Sequence, residues 1–232
     1  MRSWRLRRAR AAAPRAHLLH IGKTGGSAIK SALEGCKGAY ELVLHDHRTT
    51  LEQVPRGDRF FFVLRDPLER FVSGFYSRQR QGQPLYKSPW SPEEEHAFAR
   101  FGTADSLGQA LSSHDQEERS QALAAMRAIQ HVRDSYWAWF DDEGYFESRL
   151  DDLLAVLWLP DLDATFPRLC ELLGISPAPA LPHDDLRAHR NPAGLDRGLS
   201  EPARLALEEW YRADQAFVDR CRRLPAFVTA SP

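Results

Sequence analysis

A lysine in a glycine-rich turn can hold an anion, and residues Gly22-Lys23-Thr24-Gly25-Gly26-Ser27 supply such a turn. The backbone N–H groups of such a turn converge on a ligand, a following helix adds partial positive charge, and Lys23 adds a full one. Arg65 is a second candidate for the same work. It closes the apolar run Phe60-Phe61-Phe62-Val63-Leu64, and Ser73 follows about two helical turns later, where its hydroxyl can serve a group held by the guanidinium. In Leu44-His45-Asp46-His47 two imidazoles share one face of a strand end while Asp46 points away. Histidines so placed can take a proton near neutral pH.

Three elements must position these groups. His17-Leu18-Leu19-His20-Ile21 reads as a buried strand that runs into the glycine turn, and Ala28, Ile29, Ala32 and Leu33 continue at helical spacing. Tyr40 to Leu44 is a second strand and Phe60 to Leu64 a third, apolar on both faces. Asp66 then offers an N-cap, Pro67 the first helical residue and Glu69 the reciprocal partner of a capping box, so a helix starts at Pro67 with Leu68, Phe71, Val72 and Phe75 as its apolar stripe. Residues 81–116 lose periodicity and read as a long loop. Helical patterning returns over Glu117 to Phe140, Leu153 to Leu159 is a further buried strand, and Leu162, Phe166, Leu169 and Leu173 mark a helix stopped by Gly174. Leu207, Trp210, Tyr211, Val218 and Cys221 give a last helix its apolar side.

Continuous apolar strands alternating with helices predict an α/β fold, a P-loop-like parallel sheet covered by helices on both faces. The expected organisation is a basic disordered tail over 1–16, one domain over 17–225 with a lid-like insertion on the acceptor side at 81–135, and a short tail over 226–232. The nucleotide triphosphatase pattern GxxxxGK[ST] is excluded by register, because its first glycine would fall on His17 inside a strand.

Length and composition fit this picture. The 232 residues, 43% hydrophobic and 27% charged, suit a globular chain and exclude collagen-like, disordered and disulfide-scaffold classes. Cys36, Cys170 and Cys221 are odd in number and far apart, so neither a zinc site nor a disulfide framework is expected, and reduced thiols in a cytoplasm fit better. The net charge of −1 conceals an asymmetry: residues 1–80 carry 16 Lys and Arg against 7 Asp and Glu, whereas the rest carry 15 against 25. Six of the early arginines precede residue 17, and no apolar run of signal-peptide kind follows them.

The motifs resemble those of sulfotransferases that use 3′-phosphoadenosine 5′-phosphosulfate (PAPS). His20-Ile21-Gly22-Lys23-Thr24-Gly25-Gly26-Ser27 is similar to the 5′-phosphosulfate loop "HxPKTGGT" of the carbohydrate and heparan sulfate 2-O branches. Arg65-Asp66-Pro67-Leu68-Glu69-Arg70-Phe71-Val72-Ser73 is similar to their 3′-phosphate motif "RdPxxRxxS". The resemblance covers residues 17–80 and continues through Leu153 to Gly174 and Leu199 to Cys221. It departs at Gly22, where proline is common, and at Trp158-Leu159-Pro160, where a polar "GxxE" segment is frequent.

The resemblance implies sulfuryl transfer from PAPS to a hydroxyl of a carbohydrate or small metabolite, leaving 3′,5′-adenosine bisphosphate (PAP), with no metal. Lys23 would stabilise the bridging oxygen, Thr24, Gly25, Gly26 and Ser27 would hold the 5′ end, and Arg65 and Ser73 would hold the 3′-phosphate. Arg190, within His189-Arg190-Asn191, would close over that phosphate, and Arg70 is expected to face solvent or a neighbouring helix. His45-Asp46-His47 resembles the His-x-His of the heparan sulfate branch, in which a histidine is the base, and His47-Arg48-Thr49 is similar to the "HxT" of other carbohydrate sulfotransferases, which makes His47 the preferred base with His45 as helper. His131 and Arg133 are weaker acceptor-side candidates, while Trp137, Trp139 and Phe140 read as core. Two rivals are a Mg-dependent nucleotide kinase with Asp66 as metal ligand, and a PAPS- or PAP-binding protein without catalysis. Neither nucleic acid nor a membrane is an expected partner, and the acidic Glu93 to Glu95 with Glu117 and Glu118 favours an uncharged acceptor over a polyanion.

Overall fold

A computed structural model describes residues 13–84, 87–182 and 198–229. Four strands, β1 (Arg15–Leu19), β2 (Glu41–Leu44), β3 (Arg59–Leu64) and β4 (Leu153–Trp158), form one parallel sheet in the order β2-β1-β3-β4. Register is set by Leu18 opposite Leu44 on one side of β1 and Leu19 opposite Phe62 on the other. The α/β expectation is met: a parallel sheet needs cover on both faces, and both are covered.

One face carries Ala16, Leu18, Phe61, Val63, Ala155 and Leu157 and packs on helices α1 (Gly26–Leu33) and α7 (Leu162–Leu172). The other carries Leu19, Phe60, Phe62, Leu64 and Val156 and packs on the last helix, α9 (Arg212–Cys221), and on Tyr136, Trp139 and Phe140. Helix α2 (Pro67–Gln79) leaves the sheet to join α3 (Pro92–Arg100), α4 (Ala104–Ala110), α5 (Gln116–Ala128) and α8 (Glu201–Trp210) around an apolar core of their own. A five-residue helix, α6 (Glu143–Glu147), precedes β4. No helix among the described residues is long and apolar enough to cross a membrane.

The strand order puts a switch point between β1 and β3. The chain leaves β1 toward β2 on one side and leaves β3 toward β4 on the other, which opens a crevice at the C-terminal ends of β1 and β3. The glycine turn and Arg65 follow those two strands.

Four sequence expectations change. Residues 81–116 are not an aperiodic loop: Ser91 and Thr103 each close a capping box and start α3 and α4, a signal that outweighs the weak apolar period of these short helices. Within the acidic triplet Glu94 is buried and forms a two-toothed ion pair with buried Arg78, leaving Glu93 and Glu95 on the surface. Arg15 and Ala16 belong to β1 rather than to a tail, and Arg15 pairs with Asp58 at 2.8 Å. Residues 226–228 are no tail either, since Val156 donates to Ala226 and accepts from Val228, extending the sheet beyond β4. Residues 1–12 and 230–232, where the remaining tail expectations fall, lie outside the described residues.

Candidate functional site

The turn between β1 and α1 is built by two left-handed residues, Lys23 at φ 68 and Gly25 at φ 88. Gly25 is the N-cap of α1 and has no side chain with which to cap it, and no acidic residue sits in the first turn. The N–H groups of Gly26 and Ser27 therefore have neither an intrahelical acceptor nor a carboxylate before them, whereas Ala28 already donates to the Gly25 carbonyl at 3.1 Å. Gly26 is required by close approach: a Cβ there would come within 2.2 Å of the His20 ring. The Thr24 hydroxyl turns inward and donates to the Ile21 carbonyl at 3.0 Å, so Thr24 can offer a ligand only its backbone. Ser27 Oγ remains at the rim, 3.5 Å from His20 Nε2.

Lys23 makes no hydrogen bond or ion pair among the described residues. Burial, reinforced by the positive charges of Arg65 and Arg80, lowers its pKa from 10.5 to about 8. A lysine crowded by other cations, with no carboxylate to relieve it, is stabilised by an incoming anion. Arg65 stands at the end of β3 as expected. Its carbonyl accepts from the Tyr136 hydroxyl at 2.6 Å, its N–H donates back to that oxygen at 3.1 Å, and its Nε donates to Glu69 at 3.3 Å. Burial pushes the Tyr136 phenol up to about 12, so it stays protonated as this clamp requires.

Asp66 is the N-cap of α2 and accepts from the N–H groups of Leu68 and Glu69 at 2.9 and 3.0 Å. The reciprocal half of the predicted capping box is missing because the Glu69 carboxylate turns to Arg65 instead. Ser73 is buried on α2, and its hydroxyl makes no hydrogen bond among the described residues. Arg190, with His189 and Asn191, lies outside the described residues.

Arg70 does not face solvent. It is 2% exposed and runs under the glycine turn, where Nε donates to the Gly22 carbonyl at 3.0 Å and Nη1 to the Asp134 carbonyl at 2.8 Å. Its guanidinium lies over the rings of Tyr136 and Trp139, 4.9 and 5.2 Å from their centroids.

The two strand-end histidines part company. His47 packs its ring on His20, 3.9 Å between centroids, with Nδ1 3.4 Å from the His20 carbonyl and the ring of His131 at 5.9 Å. Partial desolvation against its neighbours lowers its pKa, as does nearby Lys23, while the His20 carbonyl acts the other way. His131 belongs to this group: burial, then the charge of Lys23, pushes its pKa down to about 3, so it is a neutral imidazole. His45 instead hydrogen bonds His17. Arg133 is exposed and pairs with Asp134 at 3.5 Å, away from this group.

Residues 134–139 are the part of the site that sequence reasoning missed. Trp137, Trp139 and Phe140 are core, as expected, yet the same segment fastens all three strand-end loops. Trp139 Nε1 donates to the His47 carbonyl at 3.0 Å, Tyr136 clamps Arg65, and Asp134 holds Arg70 beneath Gly22. The available signal was the polar atom on each aromatic ring, since buried Trp and Tyr seek a partner.

No protein-family model matches the chain, and no curated protein does. The C-terminal ends of β1 and β3 thus bring together a lysine with no ion pair among the described residues, the start of α1 and an arginine, with the imidazoles of His47 and His131 close to the lysine charge.

Proposed function

We propose that the chain is a sulfotransferase that moves the sulfuryl group of PAPS to a hydroxyl of an uncharged carbohydrate or small metabolite. The observation that carries this reading is that Lys23 and Arg65 each follow their own strand of the neighbouring pair β1 and β3, at the switch point of the sheet. A nucleotide with phosphate at both its 5′ and 3′ ends needs two separated cationic holds, and a nucleoside triphosphate does not. The pattern of glycines and of Arg65 through Ser73 adds the family resemblance.

Sulfuryl transfer is mostly positioning and charge stabilisation around an in-line centre. The acceptor oxygen forms a bond to sulfur as the bond from sulfur to the 5′-phosphate oxygen breaks, and PAP leaves. Lys23 and the N–H groups that open α1 take up the charge that grows on the leaving phosphate. Arg65, its backbone fixed by Tyr136, holds the 3′-phosphate with Ser73. A strand-end histidine, His47 or His45, receives the acceptor proton. Three free thiols are in keeping with a cytoplasmic setting.

The test is incubation with radiolabelled PAPS and an extract of the protein's own cells, followed by identification of the labelled product. Label appearing in a neutral hydroxyl compound is expected. Stabilisation by ATP with Mg²⁺ but not by PAP would overturn the reading.

A further inference from the structure

A second polar system crosses the sheet beside the anion site, and the reaction as described gives no part to any of its members but His45. His17, in the middle of β1 and 3% exposed, holds His45 on one side and Asp58 on the other. His17 Nδ1 is 2.8 Å from His45 Nε2, and His17 Nε2 is 3.2 Å from Asp58 Oδ2. Arg15 anchors the far end on the same carboxylate oxygen at 2.8 Å. Register explains the diagonal run. His17 pairs with Val43 and with Phe60, so His45 lies two residues toward the C-terminal edge of the sheet and Asp58 two residues toward the opposite edge.

The chain of bonds dictates where the protons are. A carboxylate can only accept, so His17 carries its proton on Nε2 and leaves Nδ1 as an acceptor. His45 must then donate from Nε2, which leaves its Nδ1 with a lone pair. Burial lowers the pKa of both imidazoles, so both are neutral near pH 7. His17 faces Asp58, which raises its pKa, and Arg15 and Arg149, which lower it; His45 faces His17 and Lys30, which lower its pKa, and Asp46, which raises it. Lys30 on α1 also donates to the His45 carbonyl at 3.5 Å, tying this edge to the helix that the glycine turn begins.

We infer that His17 and Asp58 are positioning residues that fix His45 in one tautomer and present its Nδ1 as the proton acceptor, which makes His45 rather than His47 the base. This rests on the transfer reading above. The acceptor hydroxyl gives its proton to His45 Nδ1, and the resulting imidazolium is stabilised by the Asp58 charge two hydrogen bonds away. An activated base oriented by a third group is the arrangement nucleophilic sites use generally. His47 has no such relay: among the described residues the only hydrogen-bond partner of its ring is the His20 carbonyl, 3.4 Å from Nδ1.

The experiment is imidazole nitrogen NMR on the full ¹⁵N-labelled chain from pH 5 to 9, for the wild type and for Asp58→Asn, together with the pH profile of sulfuryl transfer. Asparagine keeps an oxygen for His17 and removes the charge. Expected are a His45 protonated on Nε2 and bare on Nδ1 in the wild type, a lower His45 titration midpoint in Asp58→Asn, an acid limb of kcat/KM that moves down with it, and a rate lower by about tenfold. A His45 protonated on Nδ1, or one whose titration ignores Asp58→Asn, overturns the inference. The wild-type spectrum needs no variant to fold. Spectra as expected without any sulfuryl transfer would uphold the positioning of His45 and remove the transfer reading.

Discussion

Lys23 gives the account a quantity to measure. Its pKa of about 8, against an ordinary 10.5, means that keeping it charged in the free protein costs about 3 kcal/mol. A bound phosphate offsets this cost and returns the lysine to its charged form. Free Lys23 is then about nine-tenths protonated at pH 7, half at pH 8 and one-tenth at pH 9, so PAP binding should weaken about tenfold from pH 7 to pH 9. An unperturbed lysine would give a change of a few per cent over that range. Calorimetry at pH 8 in two buffers of different ionisation heat should show uptake of about half a proton per PAP bound. Lys23→Met should bind more weakly at pH 7 and lose the pH dependence. The sign for stability runs the other way. The unfolded chain binds more protons than the folded one between pH 8 and 10.5, so this group favours folding increasingly as pH rises through that window. A PAP affinity that is flat from pH 7 to 9 in the wild type would refute the reasoning.

The other predictions follow from packing and from the remaining charges. Gly26→Ala would set a Cβ 2.2 Å from His20, and should cost about 1–3 kcal/mol of stability in urea unfolding and displace the loop enough to abolish PAP binding. Tyr136→Phe removes the hydroxyl that serves both backbone groups of Arg65, and a loss of about 1–3 kcal/mol is expected, with PAP affinity falling more than that for 5′-AMP. Glu94→Ala leaves Arg78 buried and uncompensated and should cost about 3–5 kcal/mol, read by thermal or urea unfolding. His131 must remain neutral, and with a folded pKa of about 3 against 6.5 the unfolded chain binds the extra proton between those values. Stability should therefore fall as pH drops below 6.5, and His131→Gln should flatten that acid limb.

Much of this was legible before the structure because the signals are local. The apolar run Phe60 to Leu64 and the Asp66-Pro67 start mark β3 and α2, and the glycine turn marks the end of β1, since each depends on neighbours in sequence. What sequence reading misplaced depends on partners far along the chain. Arg70 reads as facing solvent or a neighbouring helix, and only the carbonyls of Gly22 and Asp134 explain its burial beneath the turn. His45 and His47 read as two rings on one face of a strand end, but β2 ends at Leu44, and the two rings turn to different partners, His17 and His20. Residues 92–110 looked aperiodic because short helices packed at several angles carry little apolar period, although their capping boxes were readable in Ser91-Pro92-Glu93-Glu94 and Thr103-Ala104-Asp105-Ser106.

The central claim is that two strand-end cations hold one nucleotide at both ends. Its most direct test is calorimetric titration with PAP and with 5′-AMP, which lacks the 3′-phosphate, for the wild type and Arg65→Ala. Charge-assisted hydrogen bonds of about 1.5–3 kcal/mol predict that the wild type binds PAP roughly 10- to 150-fold more tightly than 5′-AMP, and that Arg65→Ala removes most of that difference. Equal affinity for the two nucleotides in the wild type, or a preference for PAP that survives in Arg65→Ala, would contradict it.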